Sequence, residues 1–378
     1  MDDSSTSERR LIGADAVRST GRGDNKYMEI PPKTVGLAFI GMGYWGPNLL
    51  RNFVEVEGCQ VIGVSDLKPG RLAFVRKRYP YLKTTEDYKE FLDDPRVGAV
   101  CIATSVSSHY ALAKAALLAG KHVLVTKPMA DSEAKATEIV ELAAKQQKQV
   151  LVDHTFVFSG AVNKVRELIR GSELGGLCYI EMTRMNLGPP ASEVDVVWDL
   201  MTHDISILLH WLGELPHQVS ARGWRFVRKD LSDVACARLE FSDGVFSNLH
   251  ASWLCPQKTR QADIFGYRKM VRYDDLEPVA KVKVYDEGFD TRLGAQDRSV
   301  VEFKYGRGDI RIPALDEQEP LRKECAHFIS GITDGKPLLS DARMGLEVVK
   351  VLGAISASIE RCGEVVRVNA EGTVTHPA

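Results

Sequence analysis

From Val35 to Asp153 the chain alternates short apolar runs with amphipathic stretches. The runs at Val35–Ile40, 60–65, 99–104, His122–Thr126 and 149–153 are rich in Val, Ile, Leu and Ala and bounded by Gly, Lys or Asp, the pattern of strands buried on both faces. Helices are expected from Gly46, from Pro69, over 108–118 and over 132–146, the last carrying the Ala, Glu and Lys content of an exposed helix. Strand–helix alternation implies a parallel sheet with helices on both faces, because parallel neighbours need crossover connections. After Gly160 the pattern changes. Ala235, Ala237, Leu239 and Phe241 alternate with Cys236, Arg238 and Glu240, and Asp243-Gly244 leads into Val245, Leu249, Ala251 and Trp253, an antiparallel hairpin signal. Helical segments at 317–333 and 341–360 are expected to cover one face of that sheet. The predicted organisation is a flexible extension over 1–32, an α/β domain with a parallel sheet covered on both faces over 33–155, and a sheet-rich α+β domain over 156–378.

Composition narrows the function classes. The 378 residues are 44% apolar and 26% charged, which is ordinary for a globular enzyme or binding protein. Lys+Arg number 49 against 51 Asp+Glu, for a net charge of -2. Such a balance offers no footprint for a nucleic-acid backbone or an anionic membrane. No run approaches the ~20 consecutive apolar residues of a membrane span, and MDDSSTSERR lacks a signal-peptide core, so a cytoplasmic protein is expected. The seven cysteines are scattered and never in C-x-x-C pairs. They read as buried thiols, and no Cys/His spacing supplies a metal site.

Gly41-Met42-Gly43-Tyr44-Trp45-Gly46 is a G-x-G-x-x-G motif. Its context is what matters: it follows a predicted strand and opens a helix, so its glycines can form the tight turn and let a pyrophosphate approach the backbone. The helix N-terminus then presents free N–H groups to the phosphates. Asp66 ends the second strand, where a carboxylate can bind both ribose hydroxyls and repel a 2′-phosphate. NAD is therefore expected over NADP, with Lys68 and Arg71 nearby softening the preference. The alternative is a cluster of turn glycines with a helix-capping aspartate.

Lys127 follows the fourth predicted strand, His122–Thr126, at the carboxyl edge where open α/β sheets bind ligands. In WDLMTHDISILLHWL, residues 198–212, Trp198, Met201, Ile205, Leu208 and Leu212 form an apolar arc, while Asp199, His203, Ser206 and His210 share the other face. Asp199 and His203 can therefore point at one small molecule. Taken separately, a solvated lysine and a solvated helix face are the alternatives.

Together, AFIGMGYWG, VTKP at 125–128 and the D-x-x-x-H element Asp199/His203 resemble the glucose-fructose oxidoreductase / inositol dehydrogenase / MocA (Gfo/Idh/MocA) family over nearly the whole chain from Thr34. The resemblance implies a Rossmann domain followed by an α+β domain with a large, mostly antiparallel open sheet. It also implies an NAD-dependent dehydrogenase acting on a CH–OH group, with Lys127, Asp199 and His203 at the positions of the family's catalytic lysine, aspartate and histidine. His203 would be the general base, Lys127 would stabilise the substrate oxygen, and Asp199 would orient the substrate or hold the imidazole tautomer. Gly41 to Gly46, Asp66, Thr104, His109 and Lys127 are the cofactor contacts it implies, with a structural role at a helix terminus as the alternative for His109, and a cis Lys127-Pro128 bond is typical. Thr126 departs from the family's usual glutamate, which leaves the nicotinamide ribose with a hydroxyl at most. Around 43–53 and 197–216 the chain looks most like the nucleotide-sugar branch, which includes UDP-N-acetylglucosamine 3-dehydrogenases. Arg184 and Asn186, on or just beyond the first strand of the second domain, are placed to meet a diphosphate or sugar, with a surface salt bridge as the alternative for Arg184. A free sugar, an inositol or a sugar phosphate is the alternative substrate, and a non-catalytic dinucleotide sensor the alternative class. The family usually assembles through its open sheet, so a homodimer or homotetramer is expected.

Overall fold

A computed structural model describes residues 33–188, 193–288 and 308–368; the expected N-terminal extension lies outside them. The first half alternates β1 (Val35–Ile40), α1 (Gly46–Glu55), β2 (Cys59–Ser65), α2 (Pro69–Arg78), β3 (Lys83–Thr85), α3 (Lys89–Leu92), β4 (Ala99–Ile102), α4 (Val106–Leu118), β5 (His122–Thr126), α5 (Glu133–Gln146) and β6 (Val150–Asp153). The strands form one parallel sheet in the order β3-β2-β1-β4-β5-β6, the doubly wound Rossmann order. The order in which successive strands are added reverses between β1 and β4, the switch point at which such sheets open a crevice beyond the carboxyl ends of their strands. β3 escapes sequence reading because Lys83-Thr84-Thr85 is a short, polar edge strand with no apolar run.

The second half contains α6 (Gly160–Arg170), β7 (Leu177–Leu187), a π turn (Val197–Met201), α7 (Thr202–Leu212), β8 (Gln218–Trp224), β9 (Val234–Glu240), β10 (Phe246–Ser252), β11 (Leu254–Gly266), β12 (Met270–Asp274), β13 (Val282–Tyr285), β14 (Ile310–Arg311), α8 (Pro320–Asp334), α9 (Ala342–Glu360) and β15 (Val366–Arg367). Its nine strands run β14-β13-β12-β11-β7-β10-β9-β8-β15. Only β7 and β10 pair in parallel; the β9–β10 hairpin turns at Asp243-Gly244, both at positive φ, as its sequence predicts. Period-2 alternation sends Ile180, Met182, Ala235, Ala237, Ala262 and Ile264 into a core with Val165, Ile205, Leu208, Val351 and Ile355 from α6, α7 and α9. The opposite face is only partly covered, and on it Tyr179 stacks between Phe265, at 4.3 Å, and Phe246, at 5.3 Å.

The late helices divide their loyalty. α9 covers the second sheet as expected, starting at Asp341, whose carboxylate accepts the Met344 N–H at 2.9 Å, a standard N-cap. α8 does not. Its Leu321, Cys325, Phe328 and Ile329 join the core of Leu37, Phe39 and Phe53 from β1 and α1, and the Phe53 and Phe328 rings meet edge to face at 6.3 Å. An amphipathic stripe specifies that a helix needs an apolar surface, not which one, so the chain returns to the first sheet unannounced. The thiols also differ from expectation: Cys101 and Cys325 are buried, while Cys236 and Cys362 are exposed. Among the described residues no helix is long and apolar enough to cross a membrane.

Candidate active site

The nucleotide turn sits in the crevice between β1 and β4. Gly41, at φ +89°, is in a conformation that an L side chain rarely adopts, and a Cβ there would lie 2.4 Å from Thr104 Cγ2 and 2.8 Å from the Ala103 carbonyl oxygen. A Cβ on Gly43 would stand 3.1 Å from the same carbonyl, and one on Gly46 3.1 Å from Met42 Sδ. The glycines thus let two loops close over each other and leave the backbone bare at the start of α1. Asp66 is buried at the end of β2; its carboxylate accepts the Met42 N–H at 2.7 Å, the Lys68 N–H at 2.8 Å and an Arg71 N–H at 3.2 Å. A carboxylate offers about four acceptor sites, so capacity for a ribose hydroxyl remains. Tyr44 and Leu67 are almost wholly exposed beside this cradle. A bare helix start, a turn that tolerates no Cβ and a fixed carboxylate fit a dinucleotide.

His109 and Thr104 support the cradle from behind. His109 is buried, with Nδ1 2.8 Å from the Pro128 carbonyl oxygen and Nε2 3.2 Å from both the Thr104 carbonyl oxygen and Thr126 Oγ1. Burial lowers its pKa, so the ring is neutral. In this structure His109 stands between the loop after β4 and the cis Lys127-Pro128 junction and links the two. Thr126, the departure from the family pattern, spends its hydroxyl on the same ring.

Lys127 crosses from the first domain to the second. Its Nζ lies 3.0 Å from Asp199 Oδ1 and donates to the Asp199 carbonyl oxygen at 2.8 Å. The other carboxylate oxygen, Oδ2, accepts the Trp253 indole N–H at 3.2 Å. Asp199 therefore serves the lysine and not the imidazole tautomer that was also expected of it. Asp199 stands in the π turn, a local widening that recurs at functional sites, and His203 follows in the first turn of α7. His203 packs edge to face on Phe156, centroids 5.1 Å apart, and its Nδ1 is buried without a hydrogen-bond partner. Burial, then the cations Lys127, Arg184 and Arg260, hold its pKa well below the ordinary imidazole range, so the ring is neutral and able to take a proton.

The two expected substrate contacts separate. Arg184 is buried and locked to Asp204, Nη2 to Oδ1 at 2.7 Å, with its guanidinium 4.7 Å from the Phe156 ring centre. The pair is a wall element: both charges are out of water, and losing one partner of such a pair costs about 3–5 kcal/mol. Asn186 is partly exposed near Gly188 and Trp253. Ser206 and His210, read as part of a polar face, are buried; His210 Nε2 is 2.9 Å from Asn163 Oδ1.

Three further residues border the site. Trp253 holds Asp199, Arg260 approaches Phe156 to 5.7 Å, and His154 is fully buried with both ring nitrogens unpartnered and its pKa driven down to about 3 by burial and by Lys127. His154 was findable, because it follows β6 at the same carboxyl edge that singled out Lys127. Arg260 and Trp253 were not, since only strand register brings them there.

Comparison with known proteins matches both halves of the chain to one family. Residues 35–154 match the Gfo/Idh/MocA model described as an oxidoreductase family with an NAD-binding Rossmann fold, and residues 162–272 match the Gfo/Idh/MocA C-terminal domain. The chain is 27% identical to a UDP-N-acetylglucosamine 3-dehydrogenase of Acidithiobacillus ferrooxidans over 85% of its own length and 96% of that protein. It is 22% identical to a myo-inositol 2-dehydrogenase of Thermotoga maritima over 67% of its own length and 79% of the relative. Among solved structures, the Acidithiobacillus ferrooxidans enzyme superposes with a TM-score of 0.74 at 24% identity, covering 87% of this chain and 98% of the other. A gentamicin A biosynthesis protein in complex with NAD gives 0.75 at 21% identity, covering 93% and 99%. At these identities the solved structures establish the fold, and with both halves matched by family models the chain belongs to the Gfo/Idh/MocA oxidoreductases and carries their NAD-binding Rossmann domain.

Proposed function

We propose that this oxidoreductase is an NAD-dependent dehydrogenase of a ring secondary hydroxyl, with C3 of a UDP-sugar as its substrate position. The observation that carries the reading is the 3.0 Å contact between Lys127 Nζ and Asp199 Oδ1, one residue from each domain, beside a neutral His203. NAD, when bound, accepts the hydride from the substrate carbon. His203 takes the hydroxyl proton: with its pKa held well below the ordinary imidazole range by burial and nearby cations it is unprotonated at neutral pH, as a general base must be. Lys127 donates a hydrogen bond to the substrate oxygen and stabilises the negative charge that develops there, an effect strongest where water is excluded. Asp199 is a positioning residue: held by Trp253, it sets the direction of the Lys127 ammonium. Asp66 favours NAD over NADP, because a carboxylate at this position can hydrogen-bond the ribose hydroxyls and would repel a 2′-phosphate.

The substrate position follows from the similarity to the UDP-N-acetylglucosamine 3-dehydrogenase, which spans nearly the whole of both chains. The decisive experiment mixes the protein and NAD with UDP-N-acetylglucosamine, other UDP- and dTDP-sugars, inositols and hexoses, and follows the absorbance of reduced nicotinamide. Turnover of UDP-sugars above inositols supports the proposal; turnover of inositols alone refutes the substrate assignment. A homodimer or homotetramer through the partly covered face of the nine-stranded sheet belongs to the same reading, supported by the Tyr179, Phe246 and Phe265 stack and by Arg238, 3.9 Å above the Phe246 ring.

A further inference from the structure

Arg184 on β7 and Arg260 on β11 stand directly opposite each other in the sheet register. They lie on the helix-bearing face, since Met182 and Ala262, two residues along each strand, are buried in its core. Like charges opposite one another on a sheet repel, so each needs its own anion, and the two arginines solve this differently. Arg184 has Asp204 to itself, and both side chains are sealed from solvent at 4% and 5% exposure. Arg260 shares its anion. Asp275 lies 3.0 Å from Arg260 Nη1 and 3.5 Å from Lys281 Nζ, and its Oδ1 also accepts the Tyr273 hydroxyl at 3.3 Å. One carboxylate thus serves two cations, leaving a positive charge in excess. The Arg260 side chain is 32% exposed, and among the described residues only its Nη1 is engaged by a side chain. The Nε and Nη2 edge is left over, which is the fork that matches a carboxylate or phosphate with two parallel hydrogen bonds.

The position is as telling as the charge. Arg260 reaches to 5.7 Å from the centre of the Phe156 ring, which also has the Arg184 guanidinium at 4.7 Å and the His203 ring at 5.1 Å. A cation with a free edge therefore stands one aromatic ring from the proposed base. We propose that Arg260 is the specificity-determining residue of the pocket: it binds a carboxylate or phosphate group of the substrate and selects acidic or phosphorylated sugars, nucleotide sugars included, over neutral polyols. The inference rests on the dehydrogenase reading above and names the feature by which that site chooses its substrate. It also couples recognition to chemistry. Arg260 is one of the cations that depress the His203 pKa, and an anion seated on it cancels part of that field and makes the imidazole a stronger base when the right substrate is present.

The test compares the wild type with Arg260→Gln and Arg260→Lys, each checked for folding by thermal melting and for cofactor binding by NADH fluorescence. Initial rates with NAD are measured on the charged and neutral pairs N-acetylglucosamine 1-phosphate with N-acetylglucosamine, and glucuronate with glucose, and on UDP-N-acetylglucosamine. Arg260→Gln should raise KM for the charged members over the neutral ones by roughly ten- to a hundred-fold, the range spanned by a hydrogen bond to a charged group, and Arg260→Lys should recover part of the loss. Equal loss on charged and neutral members, or a wild type indifferent to the charge, overturns the proposal. Calorimetric titration of the NADH-bound protein with UDP and with glucuronate decides it without turnover. Weaker binding of UDP in Arg260→Gln identifies a phosphate as the anion, weaker binding of glucuronate a sugar carboxylate, and unchanged binding of both overturns the assignment. If no sugar is oxidised, the dehydrogenase reading fails while these titrations still report on Arg260.

Discussion

The ammonium of Lys127 and the carboxylate of Asp199 meet at 3.0 Å across the boundary between the two sheets. One comes from the loop after β5 and the other from the π turn before α7, so the ion pair exists only when the two halves are docked. Both side chains are partly exposed, which keeps the contact weak as a source of stability and leaves the lysine able to exchange its partner for a substrate oxygen.

Lys127→Met keeps the length of the side chain and removes the charge. With the substrate that the wild type oxidises, kcat should fall roughly 10²–10³-fold, as when one preorganised donor to a developing oxyanion is lost. NADH titration by fluorescence separates this from a cofactor defect, and retention of most of the turnover contradicts the role given to Lys127.

The His203 imidazole is depressed first by burial and then by Lys127, Arg184, Arg260 and His154. A base must be unprotonated to act, so kcat/KM for alcohol oxidation should hold its plateau to a pH below the usual imidazole range and fall only in acid. Removing the nearest cation lifts the pKa: in Lys127→Met the acid limb of the residual activity should move to higher pH. A limb that stays put, or moves down, shows that another group titrates.

Glu324 of α8 is fully buried, neither carboxyl oxygen has a hydrogen-bond partner, and its pKa is raised well above the ordinary range by burial and then by Asp153. For an acid raised in the fold, the stabilising contribution is complete below the unfolded pKa and is lost as pH climbs through the folded one. Gln cannot ionise in either state, so Glu324→Gln should flatten the fall of Tm between acid and neutral pH and leave the variant the more stable of the two at the upper end of that range. Asp153 is raised by burial too, so some slope survives. Melting curves across pH check it, and an unchanged slope in the variant rejects the assignment.

Phe265→Asp places a charge within the aromatic stack of the partly covered sheet face. The wild type should sediment as a dimer or tetramer and the variant as a monomer, with its far-ultraviolet circular dichroism unchanged. A wild-type monomer at micromolar concentration removes this face from consideration as an interface.

The sequence alone determined whatever depends on neighbours along the chain. Apolar runs alternating with helices made the parallel sheet legible, and a glycine motif lying between a strand and a helix marked the nucleotide turn, because φ > 0 and close backbone approach demand glycine locally. The carboxyl-edge rule singled out Lys127, and helical spacing put Asp199 with His203. Tertiary structure decided what depends on strand register and on which surface an apolar stripe finds. It buried Arg184 and left its cross-strand neighbour Arg260 partly open, turned Asp199 toward the lysine, enclosed His109 behind the cradle, and sent α8 back to the first sheet. The reason is common to all four: hydrophobic patterning specifies that a face must be buried but is silent on the partner, and a charge's role is set by the one or two groups that happen to stand within hydrogen-bond reach.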